Sequence, residues 1–99
     1  MMGSDDYELQ IDIDDTGTIV VVGEIDLDTA PVLDRELRHH DTVMSELDLS
    51  LDLSGVTFFD SSGVAVLVHA LERRGDRGLV LRDRSRAVQR TLELVGVAL

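Results

Sequence analysis

The chain has 99 residues, 43% of them hydrophobic and 29% charged, which fits a single globular domain with one modest core. It contains no cysteine and only 3% aromatic residues, so disulfide and thiolate chemistry are excluded and the core has to be built from Leu, Val and Ile. The formal net charge is −11, split into −14 for residues 1–60 (16 acidic groups, 2 Arg) and +3 for residues 61–99 (4 acidic groups, 7 Arg), a balance that repels nucleic acid and anionic membrane and favours a partner with basic surface.

No apolar run approaches the ~20 residues a bilayer span needs, and the polar, acidic start does not read as a secretory signal, so a cytoplasmic location is expected. Met1 to Asp6 read as a flexible terminus, residues 1–6, ahead of one domain over 7–99. Tyr7, Leu9, Ile11 and Ile13 alternate with Glu8, Gln10, Asp12 and Asp14, the period of a strand with one covered face. Asp14-Asp15-Thr16-Gly17 is turn chemistry, and Thr18 to Gly23 is a second β-branched run, so the two segments predict an antiparallel hairpin. Asp12, Asp14 and Thr16-Gly17 imitate the start of an EF-hand loop. The twelfth position, which needs a bidentate Glu, is Gly23, so calcium is not expected.

The next segment leads into a helix, with Asp28 or Thr29 as N-cap and Pro31 in the first turn. Leu33 and Leu37 share one face of it, and His39-His40-Asp41 is expected to close it. Adjacent histidines diverge on a helix and lack the i, i+4 spacing of a metal site, so no metal is assigned. Leu47 to Leu53 alternates cleanly, with Asp48, Ser50 and Asp52 between the leucines. A parallel strand covered on both faces would read as a continuous apolar run, so helices are expected mainly on one face of the sheet. A helix over Val64 to Arg74 follows, stopped by Gly75, with Arg73 and Arg74 favourably near its C-terminal dipole. Leu79-Val80-Leu81 reads as a short strand. Ser85 caps a last helix lined by Val88, Leu92 and Val95 and ended by Gly96, after which Val97-Ala98-Leu99 is expected to begin another strand. The order strand-strand-helix-strand-helix-strand-helix predicts an α/β domain: an N-terminal hairpin, then right-handed β-α-β crossovers.

Asp60-Ser61-Ser62-Gly63 joins a strand to an apolar helix. As N-cap, Asp60 can accept from the N–H of Ser62 or Gly63, which leaves Ser61 at the first helical position with a free hydroxyl; Gly63 is expected to keep the corner open. Projection at 100° per residue puts Val64, Leu67, Val68 and Leu71 on the core face, and Ser62, Val66, His69 and Arg73 opposite. An outward Val66 beside the serines suggests a partner contact. Three readings compete: a plain helix start, a nucleophile and a phosphoacceptor. Ser61-Ser62-Gly63 is half of Gly-x-Ser-x-Gly, but Phe59 stands at its first position and His69 lies about 12 Å along the same helix, so no catalytic residue is assigned. A phosphate on Ser61 would add nearly two negative charges beside Asp60, tolerable at a helix N-terminus but disruptive to a docked partner. No phosphate-cradling glycine loop is present, and no cofactor is expected.

The block Leu51-Asp-Leu-Ser-Gly-Val-Thr-Phe-Phe-Asp-Ser-Ser-Gly-Val64, with Gly23-Glu-Ile-Asp26 and Thr29-Ala30, resembles the STAS domain, specifically the bacterial anti-sigma factor antagonists. The resemblance covers nearly the whole chain from about Tyr7. It implies a mixed sheet with helices mainly on one side, and a non-enzymatic switch. Ser61, directly after the aspartate, would be phosphorylated by a serine-kinase anti-sigma factor. The unphosphorylated form would bind that factor and free the sigma factor, and a metal-dependent serine phosphatase would reverse the modification. Asp26 and the end of the second strand would join Asp60, Ser61, Ser62, Gly63 and Val66 in the partner surface. Many family members continue past the equivalent of Val97 with a completed strand and a final helix, which this chain is expected to lack. STAS domains also serve transporters, stressosomes and lipid-transport complexes, so the alternative is a non-phosphorylated adaptor subunit of a transport or stressosome assembly.

Overall fold

The computed structural model describes residues 9–43 and 48–99; the expectations placed on Tyr7 and Leu47 lie outside them. Strands β1 (Leu9–Ile13) and β2 (Ile19–Ile25) form the predicted antiparallel hairpin, with Ile13 opposite Ile19 and Leu9 opposite Gly23. The Asp14 carboxylate closes the turn, accepting from Thr16 Oγ1 at 2.7 Å, Thr16 N–H at 2.9 Å and Thr18 N–H at 3.0 Å. Those bonds, the Thr16 hydroxyl foremost, hold the Asp14 carboxyl below its ordinary range. The group that imitates a calcium ligand is engaged by its own turn.

Helix α1 (Ala30–Val43), strand β3 (Leu49–Phe59), helix α2 (Ser61–Arg74), strand β4 (Leu79–Arg84) and helix α3 (Arg86–Val95) follow in the predicted order. Among the described residues the sheet order is β1-β2-β3-β4, with β2, β3 and β4 parallel. Each crossover steps to the next strand in one direction. Because such crossovers are right-handed, α1 and α2 fall on the same face, and α3 packs there against β3. The other face leaves Val22, Val80 and Arg82 exposed. On it Thr18 Oγ1 and Arg82 Nε donate to Ser50 Oγ at 3.2 and 2.7 Å, so a serine on the uncovered face is nonetheless buried.

The core joins Ile19, Val21 and Ile25 of β2 to Leu49, Leu51 and Leu53 of β3 beneath Leu33, Leu37, Leu67, Val88 and Leu92 of the helices. Each such burial contributes about 1.5–3 kcal/mol. β3 is longer than the alternating run suggests, and it carries two irregularities. Relative to β2 it has one extra residue between the Val20–Asp52 and Val22–Gly55 pairs and another between Gly23–Val56 and Glu24–Phe58. These bulges shift the phase, so the inward residues after Leu53 are Val56 and Phe59.

α1 does not stop at His39-His40-Asp41 but continues to Val43. Tertiary contacts hold its last turn. Asp41 Oδ1 accepts from Arg74 Nη1 at 2.5 Å and Asp41 Oδ2 from Arg73 Nε at 3.2 Å, while Arg74 Nε donates to the Gly78 carbonyl at 2.7 Å. Arg74 is 2% exposed. Besides sitting near the dipole of α2, the two arginines therefore pin the end of α1 to the end of α2. Burial pushes the Asp41 carboxyl up, but the hydrogen bonds from Arg74 and Arg73 outweigh it and leave the group below its ordinary value.

His40 turns inward on the same helix turn. Burial, then the nearby Arg74 charge, lower its pKa from 6.5 against the opposing pull of Asp41. The unfolded chain therefore takes up a proton near pH 6.5 that the folded chain resists. Stability is expected to fall as pH drops through about 6.5 toward the folded value, and this slope should disappear in His40→Phe. Urea midpoints measured from pH 7.5 to 5 on both proteins check it.

Ser85 caps α3, its Oγ accepting from Val88 N–H at 3.2 Å, and Gly96 ends it at φ 75°, with Val97 N–H bonded to the Leu92 carbonyl at 3.0 Å. The end of the chain departs from two expectations. Val95 is exposed, so Val88 and Leu92 alone are the buried residues of α3. Val97 to Leu99 form no strand. The left-handed turn at Gly96 sends the chain back, where Val97 and Leu99 pack against the core and Arg84 Nη2 holds the Leu99 carbonyl at 2.6 Å.

Candidate functional site

β2 and β3 run side by side with Ile25 paired to Phe59. The loops that leave them, Asp26 to Thr29 and Asp60 to Ser61, consequently emerge together at the C-terminal ends of parallel strands, where α/β sheets present their sites. Adjacent strands are about 4.8 Å apart, which makes the loops immediate neighbours.

The first loop is tied by its own side chains. Asp26 Oδ1 accepts from the N–H groups of Asp28 and Thr29, each at 3.0 Å. Thr29 Oγ1 accepts from Asp26 N–H at 2.9 Å and donates to the Glu24 carbonyl at 2.7 Å. Thr29, not Asp28, is the residue directly before α1. This closure leaves Leu27 outside, 77% exposed.

At the second loop Asp60 caps α2 with φ −124° and ψ −168°, its Oδ1 accepting from Ser62 N–H at 2.9 Å. Its carbonyl accepts from Gly63 N–H at 3.0 Å and Val64 N–H at 3.2 Å. Ser61 is exposed at the first helical position, and among the described residues nothing hydrogen-bonds its hydroxyl. The predicted cap geometry is present.

Gly63 does not stand at an open corner. It is buried, and a Cβ there would collide with the Phe59 ring, 2.8 Å from Cδ1, and with Ile25 Cγ2 at 2.9 Å. Glycine is required because the start of α2 passes directly over the ends of β2 and β3. Gly63→Ala is expected to destabilise the fold: overpacking costs about 1–3 kcal/mol, and alanine's helix propensity returns only about 1 kcal/mol. Denaturant unfolding of the pair measures the balance.

Val66 also departs from the expected arrangement. It is 6% exposed, so it is not an outward contact. α2 is the middle helix and packs against α1 on one flank and α3 on the other, so it buries Val66 and Ala70 as well as Val64 and Leu67, while Val68 and Leu71 are only half-buried. A single-stripe projection assumes one covered face. The exposed apolar surface near the corner comes instead from Leu27 and from Phe58, which is 47% exposed. The sequence carried a signal for both. Leu27 is flanked by Asp26 and Asp28 in a loop, and neighbouring strand residues such as Phe58 and Phe59 must face opposite sides.

Asp26, Asp60, Ser61, Ser62 and Gly63 are thus brought to one end of the sheet, Gly63 beneath the surface. The arrangement presents an accessible, unengaged hydroxyl at a helix N-terminus, flanked by carboxylates and two exposed apolar side chains. His69 lies about 12 Å further along the same helix. No helix among the described residues is long and apolar enough to cross a membrane.

A family profile described as "Mlab, STAS domain" matches residues 9–98. Among solved structures, the chain is similar to an anti-sigma factor antagonist from Mycobacterium paratuberculosis, at 29% identity and a TM-score of 0.73, over 97% of this chain and 83% of that one.

Proposed function

The chain belongs to the STAS domain family, and from that premise we propose that it is an anti-sigma factor antagonist switched by phosphorylation of Ser61. In this reading the unphosphorylated protein seats a serine-kinase anti-sigma factor on the Asp26–Leu27 loop and the Asp60–Gly63 corner, and the sigma factor is released. Phosphate on Ser61 ends that contact, and a serine phosphatase restores it. The protein acts by binding and carries out no reaction itself.

The observation that carries the proposal is the Ser61 hydroxyl, exposed and without a partner among the described residues, in a chain similar along almost its whole length to an anti-sigma factor antagonist. A dianion there is compatible with the fold, because the N-terminus of α2 offsets part of the repulsion from Asp60. A partner covering the corner would have to desolvate that dianion, which opposes docking.

The test is incubation with the candidate anti-sigma kinase and ATP, followed by peptide mass spectrometry. One phosphate is expected on Ser61, with none on Ser61→Ala even though Ser62 is intact. Absence of modification by the kinase, together with unchanged partner binding by Ser61→Asp, would overturn the switch and fit a non-phosphorylated adaptor subunit instead.

A further inference from the structure

A cavity of about 450 Å³ opens between α1 and the β1–β2 hairpin. It lies at the opposite end of β2 from the Ser61 corner: Ile19, in its wall, and Ile25, under the corner, are the two ends of that strand, about 20 Å apart at ~3.3 Å per residue. Ile11, Ile13, Ile19 and Val43 supply apolar wall, and the His40 imidazole lines it too. Ile13 and Val43 are 63% and 60% exposed, so apolar surface continues from the cavity to its mouth.

His40 is the informative residue. It is 7% exposed; its Nδ1 has almost no accessible surface and no partner among the described residues, so Nε2, which nothing among them bonds either, is the nitrogen left for a ligand. A buried polar group without a partner is destabilising, and native structures rarely keep one without a reason. A neutral imidazole offers one donor and one acceptor.

We propose that this cavity is a binding site for a small uncharged amphiphile, its aliphatic body against Ile11, Ile13, Ile19 and Val43 and its hydroxyl hydrogen-bonded to the His40 imidazole. The volume lies within the range of ligand pockets, about 300–1,000 Å³, and an apolar void of about 150 Å³ already holds benzene. A hydroxyl is matched because it is both donor and acceptor. A carboxylate head is disfavoured, because two carboxylates, Asp12 and Glu36, line the cavity beside His39 and would meet it with like charge. Distance from the corner makes the site independent of the sigma-factor reading.

The test is NMR titration of the methyl-labelled protein with 1-hexanol, hexanoate and toluene. Hexanol should give saturable shifts in the methyls of Ile11, Ile13, Ile19 and Val43 and in the His40 ring, and hexanoate should bind more weakly. His40→Phe should weaken hexanol by about fivefold, the worth of one buried hydrogen bond, and leave toluene unweakened, which separates head-group recognition from loss of the cavity. Ile13→Glu, at the exposed rim where the fold tolerates it, should abolish the hexanol shifts and leave the Ser61 amide unmoved. Hexanol shifts that fail to saturate and spread equally to the exposed Leu27 and Leu94 methyls would overturn the proposal. So would unchanged hexanol affinity in His40→Phe, or hexanoate binding as tightly as hexanol.

Discussion

Asp41→Ala is expected to lower the unfolding free energy by about 3–5 kcal/mol, the usual cost of breaking a buried ion pair from one side. Its partner Arg74 has a fully buried side chain and Asp41 is 13% exposed, so the alanine leaves a guanidinium inside the protein without its carboxylate. Arg73 loses the same partner. A surface pair such as Arg38–Asp34, whose side chains are 57% and 27% exposed, would change stability by less than about 1 kcal/mol. The urea midpoint should fall with little change in slope. Replacing both partners, Asp41→Leu with Arg74→Met, should recover much of the loss, because the desolvation of both charges is removed with their attraction. The pH dependence has a definite sign. The folded pKa of Asp41 lies below the ordinary carboxylate value, so its contribution is complete at neutral pH and is lost as pH falls through the folded value. Acid unfolding should therefore begin at higher pH in the variant. Raised salt should weaken the Asp41 pair only slightly, because buried charges are poorly screened.

Ser61→Asp is expected to weaken binding of the anti-sigma factor by about a hundredfold, equivalent to ~3 kcal/mol. A partner seated on a neutral hydroxyl would then have to desolvate a carboxylate beside Asp60 and close to Asp26, and uncompensated charge at an interface costs several kcal/mol. The fold should be indifferent. The Ser61 side chain is exposed with no partner among the described residues, and an acidic residue at the first position of a helix is favoured by its dipole. Ser61→Ala should bind like the unmodified protein and resist switching, and thermal unfolding of all three should agree within about 0.5 kcal/mol. Calorimetric titration of the three proteins with one anti-sigma factor separates the effect from stability. Leu27→Ala should also lose affinity, since an apolar side chain this exposed beside the corner has most to gain from being covered.

Much of the local structure was legible before any coordinates. Alternation in β1 as far as Ile11, the β-branched run of β2, the turn residues Asp14 to Gly17, the caps at Asp60 and Ser85 and the stops at Gly75 and Gly96 depend on neighbours within about five residues, and each stands where the pattern placed it, whereas Ile13, on the same alternating face, is 63% exposed. Three of the readings that failed depend on elements distant in the chain. Val66 is buried because α2 has a helix on either side, which no single helical projection contains. Gly63 is confined by Phe59 and by Ile25, the latter brought in by the β2–β3 register. α1 outruns His39-His40-Asp41 because Arg74, 33 positions on, takes Asp41 as its partner.

The Asp60–Gly63 corner divides along the same line. Hydrogen bonds between near neighbours, from Ser62 N–H to the Asp60 carboxylate and from Gly63 and Val64 N–H to its carbonyl, make a helix start with an outward serine, and these follow from four adjacent residues and their successor alone. Which surface surrounds that serine was decided only by tertiary structure. Parallel pairing of β2 with β3 carries the Asp26–Leu27 loop beside it, and two bulges in β3 set which of Phe58 and Phe59 points to solvent. Burial of Val66 removes the apolar contact that periodicity had proposed. Short-range hydrogen bonding is encoded in adjacent residues, whereas burial is a property of the space between elements that meet only once the chain has folded.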